Sequence, residues 1–213
     1  MYRRLLFGTG VLVLSLVAAG CASGTDSGLT GVRDAAEQMY FEVPEEWAVY
    51  LSDDLSGSTE TPFVNQSAEL NLPVFSRVVF HAAGVDAGLP ETNTSNVDYP
   101  VGAAVVRSIP ASMRDQISRY WLAELVLPYH SHPVAQEELK EDISLGEGFD
   151  GVKILVLYND TETETDAAAF LISVTDPEVE FMYSIAIGCS LSCFNEHAQS
   201  IIDVVDSWLV NTR

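Results

Sequence analysis

The sequence predicts an α+β fold: an antiparallel β-sheet with helices packed on its faces. Three observations predict it. In the last third, Val152 to Tyr158, Ala168 to Thr175 and Val179 to Ile187 read as strands joined by short acidic connectors, the pattern of an antiparallel meander. A final helix, about Ser192 to Leu209, places Phe194, Ala198, Ile201, Val205 and Trp208 on one stripe. Such a stripe must be buried, and the preceding sheet is the nearest surface. A second helix stands mid-chain, between strand-like runs.

The chain opens with Tyr2-Arg3-Arg4, then a mostly apolar run from Leu5 to Ala19, then Ala18-Ala19-Gly20-Cys21. A positive start, a short apolar core and a small-residue cut site are the parts of a secretory signal. The run is too short for a comfortable membrane span, which needs about 20 apolar residues. Cys21 stands directly after the cut site, where its thiol can be acylated by chains such as palmitate. The stretch resembles the lipobox of bacterial lipoproteins, with Ala18 where leucine is commoner. The expected divisions are a lipoprotein signal peptide over residues 1–20, a flexible tether over 21–33 and a single domain over 34–213. The tether is small and polar, including Ser23-Gly24-Thr25-Asp26-Ser27-Gly28.

The elements follow in order. Met39 to Leu51 carries two short apolar runs around Pro44-Glu45-Glu46 and predicts a hairpin. Asp53 to Leu72 is polar and loop-like. Arg77 to Ala83 and Val101 to Arg107, rich in Val and Phe, predict strands. Ser112 and Asp115 have capping-box spacing, and Met113, Ile117, Tyr120, Trp121 and Leu125 follow at helical intervals. Asp115 and Arg119 can pair across one turn, and Pro128 stops the helix. In the last strand Val179, Phe181, Tyr183, Ile185 and Ile187 share one face.

Composition narrows the function. The chain has 31 Asp and Glu against 10 Lys and Arg, a formal charge of −21. Loss of Arg3 and Arg4 with the signal moves this to −23. That excludes a nucleic-acid footprint, which needs clustered Lys and Arg. It also repels anionic lipid head groups, so the body stands off the membrane.

Several residues could carry chemistry. Cys189 and Cys193 are the even pair left once Cys21 is acylated. Outside the cytoplasm such a pair reads as a disulfide. One helical turn sets their Cα atoms about 6 Å apart, within bridging range. A redox or zinc pair is the rival, but zinc wants four ligands. His130-Ser131-His132 puts two imidazoles at strand spacing. Two ligands make a weak metal site, and a polar loop between Pro128 and Pro133 is the better reading. Asp160, Glu162, Glu164 and Asp166 alternate with threonines. They lack a calcium loop's central glycine and read as a solvated hairpin tip. No nucleophile elbow, zinc helix or phosphate loop is present, so no catalytic residue, metal or cofactor is assigned.

Phe41-Glu42-Val43-Pro44-Glu45-Glu46-Trp47 resembles the F-x-V-P-x-x-W opening of PsbP-like domains. Cys189 to Phe194, followed by Ile201 to Val210 with Ser207-Trp208, resembles the closing helix of actinobacterial lipoproteins of the LpqN/LpqT type. Together they imply an α/β/α sandwich, related to photosystem PsbP and to a Ran-binding nuclear transport factor. The resemblance covers both ends of the domain; residues 53 to 150 match in pattern alone. Members of the fold mostly act as binding or assembly factors, which implies a non-catalytic role by analogy. The expectation is therefore a lipid-anchored envelope module, on the outer face of a membrane, that binds or scaffolds a protein. The alternative is a carrier or sensor holding a small apolar ligand between sheet and helix. A cavity lined by Trp121, Phe170 or Phe181 favours the carrier. An exposed apolar patch favours a protein partner.

Overall fold

A computed structural model describes residues 28–34, 36, 38–55, 62–63, 72–90, 97–127, 129–130, 134–146, 148–160 and 165–211. The expected signal peptide and Cys21 lie outside them.

Within the described residues, seven strands form one antiparallel sheet. In chain order they are β3 (Ala48–Leu51), β4 (Val74–His81), β5 (Val101–Ser108), β6 (Ala135–Leu145), β7 (Phe149–Asp160), β8 (Thr165–Thr175) and β9 (Phe181–Ser190). Their spatial order is β3-β4-β5-β9-β8-β7-β6. The expected meander is β7-β8-β9, in unbroken register from Asp150↔Thr175 to Asp160↔Thr165 and from Ala167↔Ser190 to Thr175↔Met182. A smaller sheet has the order β1 (Leu29–Arg33), β2 (Met39–Pro44), β10 (Leu209–Val210). Three helices complete the fold: α1 (Arg119–Val126), α2 (Leu191–Glu196) and α3 (Ala198–Asp206).

The class is the expected one, with helices on both faces of an antiparallel sheet. Strand alternation separates two cores. On one face Val152, Ile154, Ala169, Leu171, Met182 and Ala186 pack with Leu122, Leu125 and Val126 of α1 and with Leu55, Phe63 and Leu72. On the other, Phe170, Ile172, Val174, Tyr183, Ile185 and Ile187 pack with Ile201, Val204 and Val205 of α3, with Trp208, and with Met39, Phe41 and Val43 of β2. The second covering layer is thus the small sheet together with α3. The opening motif is a core motif: Phe41 lies tilted at 5.1 Å from Phe80, and Trp47 stacks on it at 6.2 Å. Gly102 lies opposite Phe80. A Cβ there would meet the ring at 2.3 Å, so no larger residue fits.

Five expectations need correction. First, the segment expected as tether, 21–33, contains a strand: Leu29–Arg33 is paired along β2. Buried Asp34 fixes the turn, its Oδ1 accepting from Gln38 N at 2.6 Å and Met39 N at 2.8 Å. Second, β2 and β3 are not a hairpin. Trp47 N donates to Pro44 O at 3.0 Å, and the turn carries the chain from the small sheet to the edge of the large one. Val49 of β3 packs on the core that Phe41 and Val43 fill, and Tyr50 on the opposite one. Third, the mid-chain helix begins later. Ser118 is its N-cap, accepting from Trp121 N, while Arg114–Gln116 is a 3-10 turn. Arg119 pairs with Asp142 at 3.1 Å and not with Asp115. Fourth, the closing helix is two helices broken at His197, and the chain returns as β10 on β2. Fifth, β6 carried no strand expectation. It is an edge strand, mostly exposed and charged, and charge on an edge blocks unwanted pairing while hiding the alternation.

The register fixes two ends of the large sheet. Ala48, His81, Val101 and Gly188 share one end. The chain enters there, since Glu45 N donates to Gly28 O at 2.9 Å. Arg107, Met182, Thr175 and Asp150 form the far end. Six residues of strand separate the two, roughly 20 Å.

Candidate functional site

The far end of the sheet carries two surface features, one on each face. The first is an aromatic ridge. Register breaks between Val74 and Ser76 as β4 pairs with β5, which leaves Phe75 as the extra residue of a β-bulge. A bulge re-aims a side chain, and Phe75 is 56% exposed beside half-exposed Val74. From there rings run inward. Phe75 meets Phe181 edge-on at 5.8 Å, Phe181 lies 6.4 Å from Tyr183, and Tyr183 meets Phe149 at 5.6 Å. Burial pushes the Tyr183 hydroxyl up to about 12, aided by the negative charges of Asp176 and Asp34. It stays a neutral phenol across physiological pH.

The second feature is an open cleft of about 220 Å³, walled by Ile117, Arg119 and Leu122 at the start of α1, by Gly148 and Asp150 of the β6–β7 turn, and by Thr175, Asp176, Pro177 and Val179 of the β8–β9 turn. Asp176 builds its own wall. Its Oδ1 accepts from Glu180 N at 2.7 Å and Phe181 N at 3.0 Å, while Val179 N donates to Asp176 O at 3.0 Å. This forces Val179 to φ 54, the left-handed region that glycine or asparagine fills elsewhere. A β-branched residue there costs about 1–3 kcal/mol, and such strain gathers at functional sites. The Arg114–Glu180 ion pair, at 2.8 Å, ties the turn to the 3-10 segment. At the same end of the sheet, Arg107 is buried and its Nη1 donates to Leu72 O at 3.2 Å.

The residues singled out in the sequence are placed apart. Cys189 Sγ and Cys193 Sγ stand 2.09 Å apart with Cα atoms 6.0 Å apart. Both are buried where β9 hands over to α2, at the entry end. His130 follows α1 and bonds through Nδ1 and its backbone N–H to Glu124, while residues 131–133 are outside the described set. His197 separates α2 from α3. His81 is buried at the entry end. Ala83 N donates to its Nδ1 at 3.2 Å, and its Nε2 bonds Gly88 O at 2.8 Å. Tyr50 and Tyr99 flank its ring, each at 5.7 Å, and burial lowers its pKa. The acidic tip at 161–164 also lies outside the described residues. Phe170 is buried under Lys153, 5.0 Å from the ring centroid. None of Trp121, Phe170 and Phe181 lines the cleft.

Neither the ridge nor the cleft is written in a motif. A bulge has no sequence signature, and Asp176-Pro177-Glu178 reads as a short connector. The strained residue was a visible signal: a turn of this length wants glycine where the chain has Val179.

No protein-family model and no curated protein matches this chain. Solved structures do. It is similar to cyanobacterial PsbP (CyanoP) from Synechocystis sp. PCC 6803, at 14% identity and a TM-score of 0.49, over 91% of this chain and 99% of that one. It is similar to the Ran-binding protein Mog1p of Saccharomyces cerevisiae, at 10% identity and 0.49, over 85% and 95%. It is similar to LpqN, involved in cell envelope biogenesis of Mycobacterium tuberculosis, at 12% identity and 0.49, over 86% and 91%. PsbP and LpqN are the names that the opening and closing motifs resemble. Identities this low and TM-scores below 0.5 carry no role to this chain.

Proposed function

We propose that the chain is a non-enzymatic binding or scaffolding module, lipid-anchored through Cys21 on the outer face of a membrane. The observation that carries the binding role is the exposed Val74–Phe75 ridge at the far end of the sheet, opposite the entry at Gly28. Solvent exposure of an aromatic on a re-aimed bulge suits a protein contact, where aromatic anchors supply most of the energy. The anchor reading rests on the signal-like start and on Cys21. Seven residues, 22–28, then link the acylated cysteine to β1, a reach of about 25 Å. Entry end inward and ridge outward, the body faces away from a bilayer that its acidic surface avoids. No helix among the described residues is long and apolar enough to cross a membrane.

The test is site-specific photocrosslinking in intact cells. A benzoylphenylalanine at position 75 should give a discrete protein adduct, and one at exposed Ile202 on α3 should not. Absence of any adduct at 75, with the protein exported and folded, refutes the binding role. The anchor has its own test. Cys21→Ala should release the protein or stall it uncleaved. A cleaved variant that still fractionates with membranes refutes the lipoprotein reading.

A further inference from the structure

The far-end cleft has a chemistry of its own. Its apolar wall is Ile117, Leu122 and Val179, and its polar wall is Arg119, Asp150 and Asp176. Asp150 lies directly across the β7–β8 pair from Thr175, the residue before Asp176. The cations nearby are already engaged: Arg119 pairs with Asp142 at 3.1 Å and Arg114 with Glu180 at 2.8 Å. Asp150 Oδ1 accepts from Ser144 and Asp176 Oδ1 from two backbone N–H groups. Those bonds orient the carboxylates without neutralising them. Glu178, on the same turn, adds a third acid. The opening is thus a short apolar slot with surplus negative charge, in a chain of charge −21.

We propose that this cleft receives a lysine or arginine side chain of a partner protein. The methylene stem lies on Ile117, Leu122 and Val179, and the cationic head reaches Asp150 and Asp176. Long basic side chains are built in this way, with an apolar stem and a charged tip. A volume of about 220 Å³ holds one such side chain and little more. A second copy of this chain is a poor occupant, because two bodies of this charge repel. The strained Val179 has a purpose in this arrangement, since the turn that strains it sets both the apolar wall and Asp176. The inference rests on the binding-module reading and names the chemistry of its partner.

The test uses the full-length chain in detergent micelles and ligand-observed saturation-transfer NMR. The probe is acetyl-Ala-Lys-Ala-amide, with the norleucine peptide as its uncharged counterpart. The lysine methylenes should receive saturation, and norleucine about tenfold less at equal concentration, the factor expected of one charge-assisted contact. Asp150→Asn should abolish the difference, while Glu138→Gln on the exposed face of β6 should leave it unchanged. Equal signals from both peptides overturn the proposal. So does an equal loss in Glu138→Gln, which marks diffuse attraction to an acidic surface. Thermal unfolding of each variant separates loss of binding from loss of fold. The two readings fail separately. Crosslinks from position 75 with a silent cleft leave the module standing and the cleft refuted, and selective lysine binding without crosslinks leaves the cleft standing and refutes the ridge as the contact surface.

Discussion

Trp208 offers a stability experiment with two arms. The ring is 2% exposed, in the core formed by β2, α3 and the large sheet. The chain around it is stitched to β2: Ser207 Oγ accepts from Glu42 N at 2.8 Å and donates to Val204 O at 2.7 Å. Trp208→Ala should therefore cost about 3–5 kcal/mol, as for a fully buried large aromatic. The indole is not fully content, however. Its Nε1 is buried without a hydrogen-bond partner among the described residues, and an unmet buried donor costs about 1–3 kcal/mol. Trp208→Phe removes that donor and gives up part of the ring, a loss of about 1–2 kcal/mol. The two changes offset, so Phe should lie within about 1 kcal/mol of the parent. The assay is urea unfolding of a leaderless chain starting at Gly28, since a start at Asp34 would delete β1. If Ala shifts stability by less than about 1 kcal/mol, the closing segment is not core. If Phe costs as much as Ala, the donor is satisfied and the packing argument alone remains.

Three further outcomes follow from the same structure. Val179→Gly should be nearly neutral, within about 1 kcal/mol, because relief of left-handed strain offsets lost packing and added chain entropy; a cost above about 3 kcal/mol in urea would show that the turn stores no strain. His81 is held neutral when folded, its pKa lowered by burial below 6.5. The unfolded chain binds the proton first, so this stabilisation is fully present above pH 6.5 and is lost as pH falls through the folded value. The stability difference between wild type and His81→Gln should shrink over that window in paired urea titrations, and a constant difference refutes it. Cys189 and Cys193 should be linked in exported protein on non-reducing mass spectrometry, and the double Ser variant should fold while losing about 2 kcal/mol.

What the sequence revealed of the fold follows how each element is buried. β7, β8 and β9 were legible because their connectors are short and their apolar runs long. The alternation in β9 was real, but its second face is also buried: Met182, Ser184 and Ala186 are 0–1% exposed. β6 was not legible. Glu137, Glu138, Lys140, Glu141 and Asp142 suit an exposed edge, and a bulge between Glu137 and Leu139 breaks the period of two. The turn at Pro44–Trp47 looked like a hairpin because local chemistry specifies a reversal, and says nothing about which sheet each arm joins. That choice is made by long-range pairing, β2 with β1 and β10, β3 with β4.

The candidate site was less legible for a different reason. Motifs announce chemistry when neighbours in sequence act together, as in a zinc helix or a phosphate loop. Here the cleft draws on residues 117 to 122, 148 to 150 and 175 to 179, the start of α1 and two turns at one end of a sheet. Strand register brings the two turns together, with Asp150 opposite Thr175, and packing of α1 on the sheet adds the third segment. Each acid is one of 31 in the sequence, so composition alone cannot single out Asp150 or Asp176. What singles them out is position, beside an apolar wall and in a cleft whose own Arg119 is already paired with Asp142. Phe75 follows the same logic. In sequence it is one more apolar residue before a strand, and the bulge alone turns it outward. Cys189, Cys193 and the described histidines sit at the entry end or in the joints between elements. The groups free to meet a partner are at the other end, on side chains with no motif.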